Sequence, residues 1–269
     1  MKNTASTLAL TVLAAAALSP VRAADEPAAA APAKKLNILA VAAHPDDVDL
    51  NVAGTLIRYM KAGHNIFVAY TTSGNTGSNV MTDTKLIGET REKEALEAAK
   101  FYGAQVRFLR NDDERLFDTN ETRTQVLDAL RWADPDVVFT HWKDDESPDH
   151  AMTSKLVRSM IQSMPGRNQQ SNEKPSAKLP SVFMWDTGRG IGFQPEVYVD
   201  VTDEMEDKVK ALECHKCQNS YMSEFGNSRF SESMRIRAAF YGLQNGCKYA
   251  ECFRGWRLSG YIPNFKILP

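Results

Sequence analysis

The chain has 269 residues, with 32 Lys and Arg against 34 Asp and Glu, a formal charge of −2 and 43% hydrophobic residues. That balance excludes a disordered chain, a collagen and a coiled coil. It also lacks the basic excess of a nucleic-acid-binding surface, so no nucleic-acid partner is expected. The length suits one large domain or two small ones, either with a full core.

Lys2 gives a short positive start, Leu8 to Leu18 is apolar, and Val21-Arg22-Ala23 places small residues three before and one before a cut after Ala23. Residues 1–23 therefore read as a secretory signal peptide. The apolar run is too short to span a bilayer core of about 30 Å. Residues 24–35, rich in Ala and Pro, read as a linker, and residues 36–269 as the working domain. The mature chain is expected to be exported, periplasmic or secreted, without stable membrane insertion.

Leu36 to Ala43 is an apolar run of strand length. Helical spacing follows in Val52, Leu56, Tyr59 and Met60, stopped by Gly63. Ile66 to Thr71 reads as a strand, Gly74 to Asn79 as a loop, and Thr84 to Tyr102 as an amphipathic helix ended by Gly103. Val106 to Leu109 is a strand, Thr122 to Ala133 a helix broken by Asp134-Pro135, Val137 to Thr140 a strand, and Asp149 to Met164 a helix. Met164 to Pro180 is a polar loop. Ser181 to Trp185 and Glu196 to Val201 read as strands, and Asp203 to Gln218 as one helix. Alternating strands and helices predict a Rossmann-like α/β fold of three layers, with a mostly parallel sheet and a less regular C-terminal third. Ligands in such sheets bind beyond the carboxyl ends of the strands.

Two segments follow predicted strands and carry chemistry. The first is Ala43-His44-Pro45-Asp46-Asp47, and the second is Ser147-Pro148-Asp149-His150. Imidazole and carboxylate ligate zinc, and a catalytic zinc takes three protein ligands and keeps one position open. His44, Asp47 and His150 form that candidate set. Asp46, beside a ligand but not one itself, suits the general base that takes a proton from an activated water. The competing reading makes the first segment an Asx-type turn, with Asp47 as a helix cap.

Ala-His-Pro-Asp-Asp after a first strand, with Pro-Asp-His about a hundred residues later, resembles the LmbE-like or PIG-L zinc-dependent de-N-acetylases. Arg91 and Glu94, Asp112-Asp113 after Phe108-Leu109, Lys208, His215 and Gln218, and the closing Gly246, Tyr249-Ala250-Glu251 and Phe253 match further segments of that family in order. The resemblance implies a Rossmann-like fold. It implies one zinc per chain on His44, Asp47 and His150, or another divalent metal, since such ligands discriminate weakly. It implies Asp46 as the catalytic base against an acetamide carbonyl, as in removal of acetyl from an N-acetylated sugar. The expected partner is a small-molecule or oligosaccharide amide. The alternatives are an amidase for a larger acyl amide and a sugar-binding protein on a decayed scaffold.

Two positions depart from the family pattern. Val48 stands where Glu is usual, and Ser147 stands where the second motif usually has its first His. Ser147 cannot be a cationic donor, so His141 or His215 is expected to fill that role, or Asp46 to carry the acid step alone. Asp149 is expected to orient His150. Arg91 has two readings, binding a substrate hydroxyl or phosphate, or pairing with an acid to hold the fold. Catalytic candidates beyond the metal set are thus Asp46, Asp149 and His215, and substrate-binding candidates Arg91, Ser147 and His141. Cys214, Cys217, Cys247 and Cys252 in an exported chain predict disulfides from the helix near Cys214 to the tail, with a structural zinc as the alternative.

Overall fold

The structure is a computed structural model in which residues 34–224 and 230–257 are described. The signal peptide and most of the linker expected from the sequence lie outside the described residues. Strand β1 (Asn37–Ala42) is buried on both faces: Ile38, Ala40 and Ala42 pack to one side of the sheet and Leu39 and Val41 to the other. A strand covered on both faces reads as a continuous apolar run, which is why its sequence does not alternate. The chain then turns into α1 (Asp47–Asn51) and α2 (Ala53–Lys61), and returns as β2 (Asn65–Thr72).

Helix α3 (Thr84–Ala99) starts under the Asp83 carboxylate, which accepts hydrogen bonds from the backbone N–H groups of Lys85 and Leu86. A 3-10 turn over Lys100–Tyr102 ends on Gly103 at φ +60°. Strand β3 (Gln105–Asn111) leads to α4 (Asn120–Ala133), which opens with a Thr119–Thr122 capping box and closes on Asp134 in the left-handed region. Strand β4 (Val137–His141), α5 (Pro148–Ile161) and β5 (Ser181–Trp185) complete the parallel portion.

The C-terminal third is more regular than its sequence suggests. Strand β6 (Val197–Asp200) is followed by α6 (Met205–Glu213), α7 (Lys216–Glu224), α8 (Phe230–Asn245) and β7 (Ala250–Trp256). The single helix expected over Asp203–Gln218 is two helices. The chain breaks at Cys214-His215, where the His215 side chain turns inward to full burial against Asp49. Helix α8 and strand β7 were not read from the sequence.

The seven strands lie in the order β3-β2-β1-β4-β5-β7-β6. β7 alone runs antiparallel to its neighbours β5 and β6. Strand order reverses between β1 and β4, which pair in parallel. Such a switch point opens a crevice at the carboxyl ends of the two strands. Helices α2, α3 and α6 cover one face of the sheet, and α4 and α5 the other.

All four cysteines are free thiols, which corrects the disulfide expectation. Cys214 packs against the core layer that contains Phe253, whereas Cys247 and Cys252 belong to the cluster of Trp142, Met184 and Tyr241. Phe253 and Cys252 point to opposite sides of β7, so the sheet separates the two groups of thiols, and a disulfide needs Cα atoms within about 7 Å. No group of metal-donor atoms among the described residues includes a cysteine.

Candidate metal centre and cleft

The loop after β1 and the start of α5, which follows β4, meet at the switch point. His44 Nδ1 lies 3.1 Å from His150 Nε2 and 3.3 Å from Asp47 Oδ2, and His150 Nε2 lies 3.2 Å from Asp47 Oδ1. In a tetrahedral site with bonds of about 2.0–2.2 Å, donor atoms stand about 3.3–3.6 Å apart. The triangle is therefore close to the size that a zinc-like ion requires.

The outer nitrogens explain why the inner ones converge. His44 Nε2 sits 2.9 Å from Asp113 Oδ1, and His150 Nδ1 sits 3.2 Å from Asp145 Oδ1. Each carboxylate holds the proton on the outer nitrogen, which leaves the inner nitrogen as a lone pair. Two lone pairs and a carboxylate then face one point, and only a shared proton or a cation can satisfy them. The donor set fits a divalent metal.

Electrostatics agree. Burial alone would depress the His44 pKa, but the Asp47 charge and the hydrogen bonds to Asp113 and Asp149 raise it well above the usual value. Burial also opposes the charged form of His150, yet Asp47 and Asp145 lift its pKa to about 9. The Asp47 carboxyl, which burial would push up, is held well below its usual range by His150, His141 and His44.

Asp46 is buried beside this triangle, and its Oδ1 accepts a 2.8 Å hydrogen bond from Arg91 Nη2. Arg91 Nη1 donates to the Gly74 carbonyl at 2.8 Å. Arg91 is thus committed to holding Asp46 and the Gly74 loop. A Cβ at Gly74 would meet Arg91 Nη1 at 2.3 Å and one at Gly77 would meet it at 2.4 Å, so a side chain at either position would push the guanidinium out of its place.

The other expected site residues fall differently. Asp149 does not face the His150 ring. Its oxygens accept from Glu114 N at 2.7 Å and Leu116 N at 3.3 Å, and Oδ2 lies 3.5 Å from His44 Nε2. Consecutive helical residues point about 100° apart. Asp145, whose Oδ1 also accepts from Ser147 N at 3.0 Å, therefore takes the place beside His150. His215 does not line the cleft. It is fully buried with Nε2 2.8 Å from Asp49 Oδ2, bracing α1 from below.

His141 is also fully buried. Its Nδ1 accepts from Trp185 Nε1 at 3.2 Å, Nε2 lies 3.3 Å from Asp47 Oδ2, and its ring stacks on His150 at 4.0 Å. Burial and the His150 charge lower its pKa to about 4, so it is neutral at pH 7 and supports Asp47. Neither histidine substitutes for the one absent at Ser147, which borders the cleft at the start of α5.

The space around the triangle has two arms. The wide arm, about 420 Å³, is lined by Thr76, Gly77, Arg91, Asp113, Gln218 and Tyr221, and includes Asp46. The narrow arm, about 90 Å³, lies on the other side of Leu50 and His150, toward Asp186, Gly188, Met234 and Arg237. Sequence reasoning assigned no role to Asp113, Asp145 or Met234. Asp113 was visible as part of a strand-then-Asp segment. Asp145 carried no signal beyond its place five residues before His150.

Residues 39–161 match the family described as GlcNAc-PI de-N-acetylase, PIG-L. A diacetylchitobiose deacetylase of Thermococcus kodakarensis is 26% identical over 225 residues, covering 81% of this chain and 82% of that protein. A mycothiol S-conjugate amidase of Streptomyces coelicolor is 28% identical over 153 residues, covering 46% of this chain and 50% of that one. Among solved structures, the N,N'-diacetylchitobiose deacetylase from Pyrococcus horikoshii, complexed with its inhibitor, aligns with a TM-score of 0.72 at 26% identity. It covers 85% of this chain and 86% of its own.

Proposed function

From the premise that this chain carries a PIG-L (LmbE-like) family domain, we propose that it is a metal-dependent deacetylase that removes acetyl from a GlcNAc-type amide. The observation that carries this reading is the convergence of His44 Nδ1, His150 Nε2 and the Asp47 carboxylate on one point beside the Arg91-held Asp46. A divalent ion bound there, zinc being the best match to the donor set, supplies Lewis acidity to the amide carbonyl and to a water.

The chain's own residues do the rest. Asp46, fixed by Arg91, takes the proton of the attacking water and passes it to the nitrogen as the C–N bond breaks. With Ser147 in place of a histidine and His141 and His215 both buried, Asp46 carries the base and acid steps alone. Asp113 and Asp145 keep the imidazole rings turned inward. The wide arm has the volume for a sugar, with Thr76 and Gly77 of the loop after β2 along its wall.

The basic start, apolar run and Ala23 site support export of the mature chain. The test is acetate release from N-acetylglucosamine oligomers by zinc-loaded protein. Release that Asp46→Ala abolishes supports the reading, and its absence from the wild type across those amides overturns it. An amine released without acetate from an amide of a larger acyl group would favour an amidase.

A further inference from the structure

We infer that the narrow arm is the acyl subsite, and that Met234 and Gly188 set the length of acyl chain the protein accepts. The inference rests on the deacetylase reading and adds which side of the amide lies where.

Its basis is the position of Asp46. In hydrolysis, water adds to the carbonyl carbon, the C–N bond breaks, and the proton that Asp46 took from water goes to the amine nitrogen. The products are a carboxylate and a free amine. The nitrogen must therefore lie within reach of Asp46, which lines the wide arm and not the narrow one. With the carbonyl at the triangle and the amine toward Asp46, the acyl carbon chain leaves on the opposite side. Leu50 and His150 border both arms there, and the narrow arm opens between them.

The dimensions support the division. The wide arm is more than four times larger, about 420 Å³ against about 90 Å³, and only it can take a saccharide. The narrow arm is the smaller of the two spaces, which suits a short acyl group. Met234 of α8 is buried in its wall. Gly188, an exposed residue of the loop after β5, also borders the arm, and a Cβ there meets nothing within 4 Å. Arg237 is tied to the Thr187 and Leu50 carbonyls at 3.2 and 2.7 Å, which joins the loop after β5, α1 and α8 into a rigid wall.

The experiment measures kcat/KM of the metal-loaded full chain on N-acetyl-, N-propionyl-, N-butyryl- and N-hexanoylglucosamine. One methylene too many in an apolar pocket changes rates by about 10–200-fold. The wild type should lose at least about 100-fold between acetyl and hexanoyl. Met234→Ala should raise the butyryl-to-acetyl ratio by about tenfold or more. Gly188→Val, on a loop with space around it, should lower the propionyl-to-acetyl ratio and decides the matter if Met234→Ala does not fold. Tyr221→Ala, in the wide arm, should change the dependence on saccharide length and leave the acyl ratios alone. A binding readout accompanies the rates. Saturation-transfer NMR of N-acetylglucosamine oligomers on Asp46→Asn should mark the acetyl methyl most strongly, and Gly188→Val should reduce that signal.

Acyl ratios that are flat, or that follow Tyr221 and ignore both Met234 and Gly188, overturn the subsite while acetate release still upholds the deacetylase. A wild type that cleaves none of the amides overturns the deacetylase reading and the subsite with it.

Discussion

Two buried polar clusters sit about α1 and α2 and obey opposite rules. At the strand ends, His44, Asp47 and His150 bring their inner atoms to a common point. Behind α2, Glu251 of β7 is fully matched. Its Oε1 accepts from Gly54 N at 2.9 Å and from Lys208 Nζ, and its Oε2 accepts from Thr55 N at 2.8 Å. Both clusters take ionised groups out of water, a cost that only partners can offset. The second finds its partners within the chain and serves the fold, whereas the first is the cluster to which the proposed cation and its chemistry are assigned. Burial and charge alone do not separate such sites; the direction in which their lone pairs point does.

Breaking the first cluster should remove function and spare the fold. The largest effect is expected from His44→Ala with His150→Ala, which should take metal content from about one ion per chain to none, read by elemental analysis. Asp46→Asn should lower acetate release by about 10²–10⁴-fold at unchanged metal content, the usual range for a lost proton-transfer group. Breaking the second cluster should do the reverse. Glu251→Ala leaves the buried Lys208 amine without its carboxylate, costing about 3–5 kcal/mol in denaturant unfolding, with metal stoichiometry intact in the folded fraction.

Smaller changes sharpen the contrast. Asp113→Asn and Asp145→Asn should each weaken metal affinity by about 10–100-fold, measured by chelator competition, because the rings lose the acids that orient them. The smallest effect is a proton count. His44 and His150 both have raised pKa values, so at pH 7 the metal-free pair holds a proton between the inner nitrogens, and a metal must displace it. Calorimetry in buffers of different ionisation enthalpy should show about one proton released per ion bound, and affinity falling as the pH is lowered.

The parallel portion was legible because its signals are local. Ser181 to Trp185 is an unbroken apolar run between polar loops and is a strand over those same residues. The convergence of the two motifs was also readable, since strand-to-helix alternation sends each of them to the same sheet edge. What escaped depends on contacts distant in sequence. The break at Cys214-His215 exists because His215 reaches Asp49, 166 positions away. Helix α8 exposes Ile236, Phe240 and Leu243, which blurs an amphipathic pattern. The role expected of Asp149 falls to Asp145, because a helix start turns the adjacent Asp149 and His150 in different directions.

Strand β7 has a further consequence for how the molecule is assembled. It lies between β5 and β6, yet it follows both in the chain. β6 therefore has no sheet edge to join until a segment made some fifty residues later has docked, and β5 keeps an open edge in the meantime. The same late strand brings Glu251 to the first N–H groups of α2, just behind the turn that carries His44 and Asp47. The centre built from the earliest strand is thus locked by the last one, and a chain interrupted before residue 250 would own every ligand and still lack the latch that holds α2 behind them.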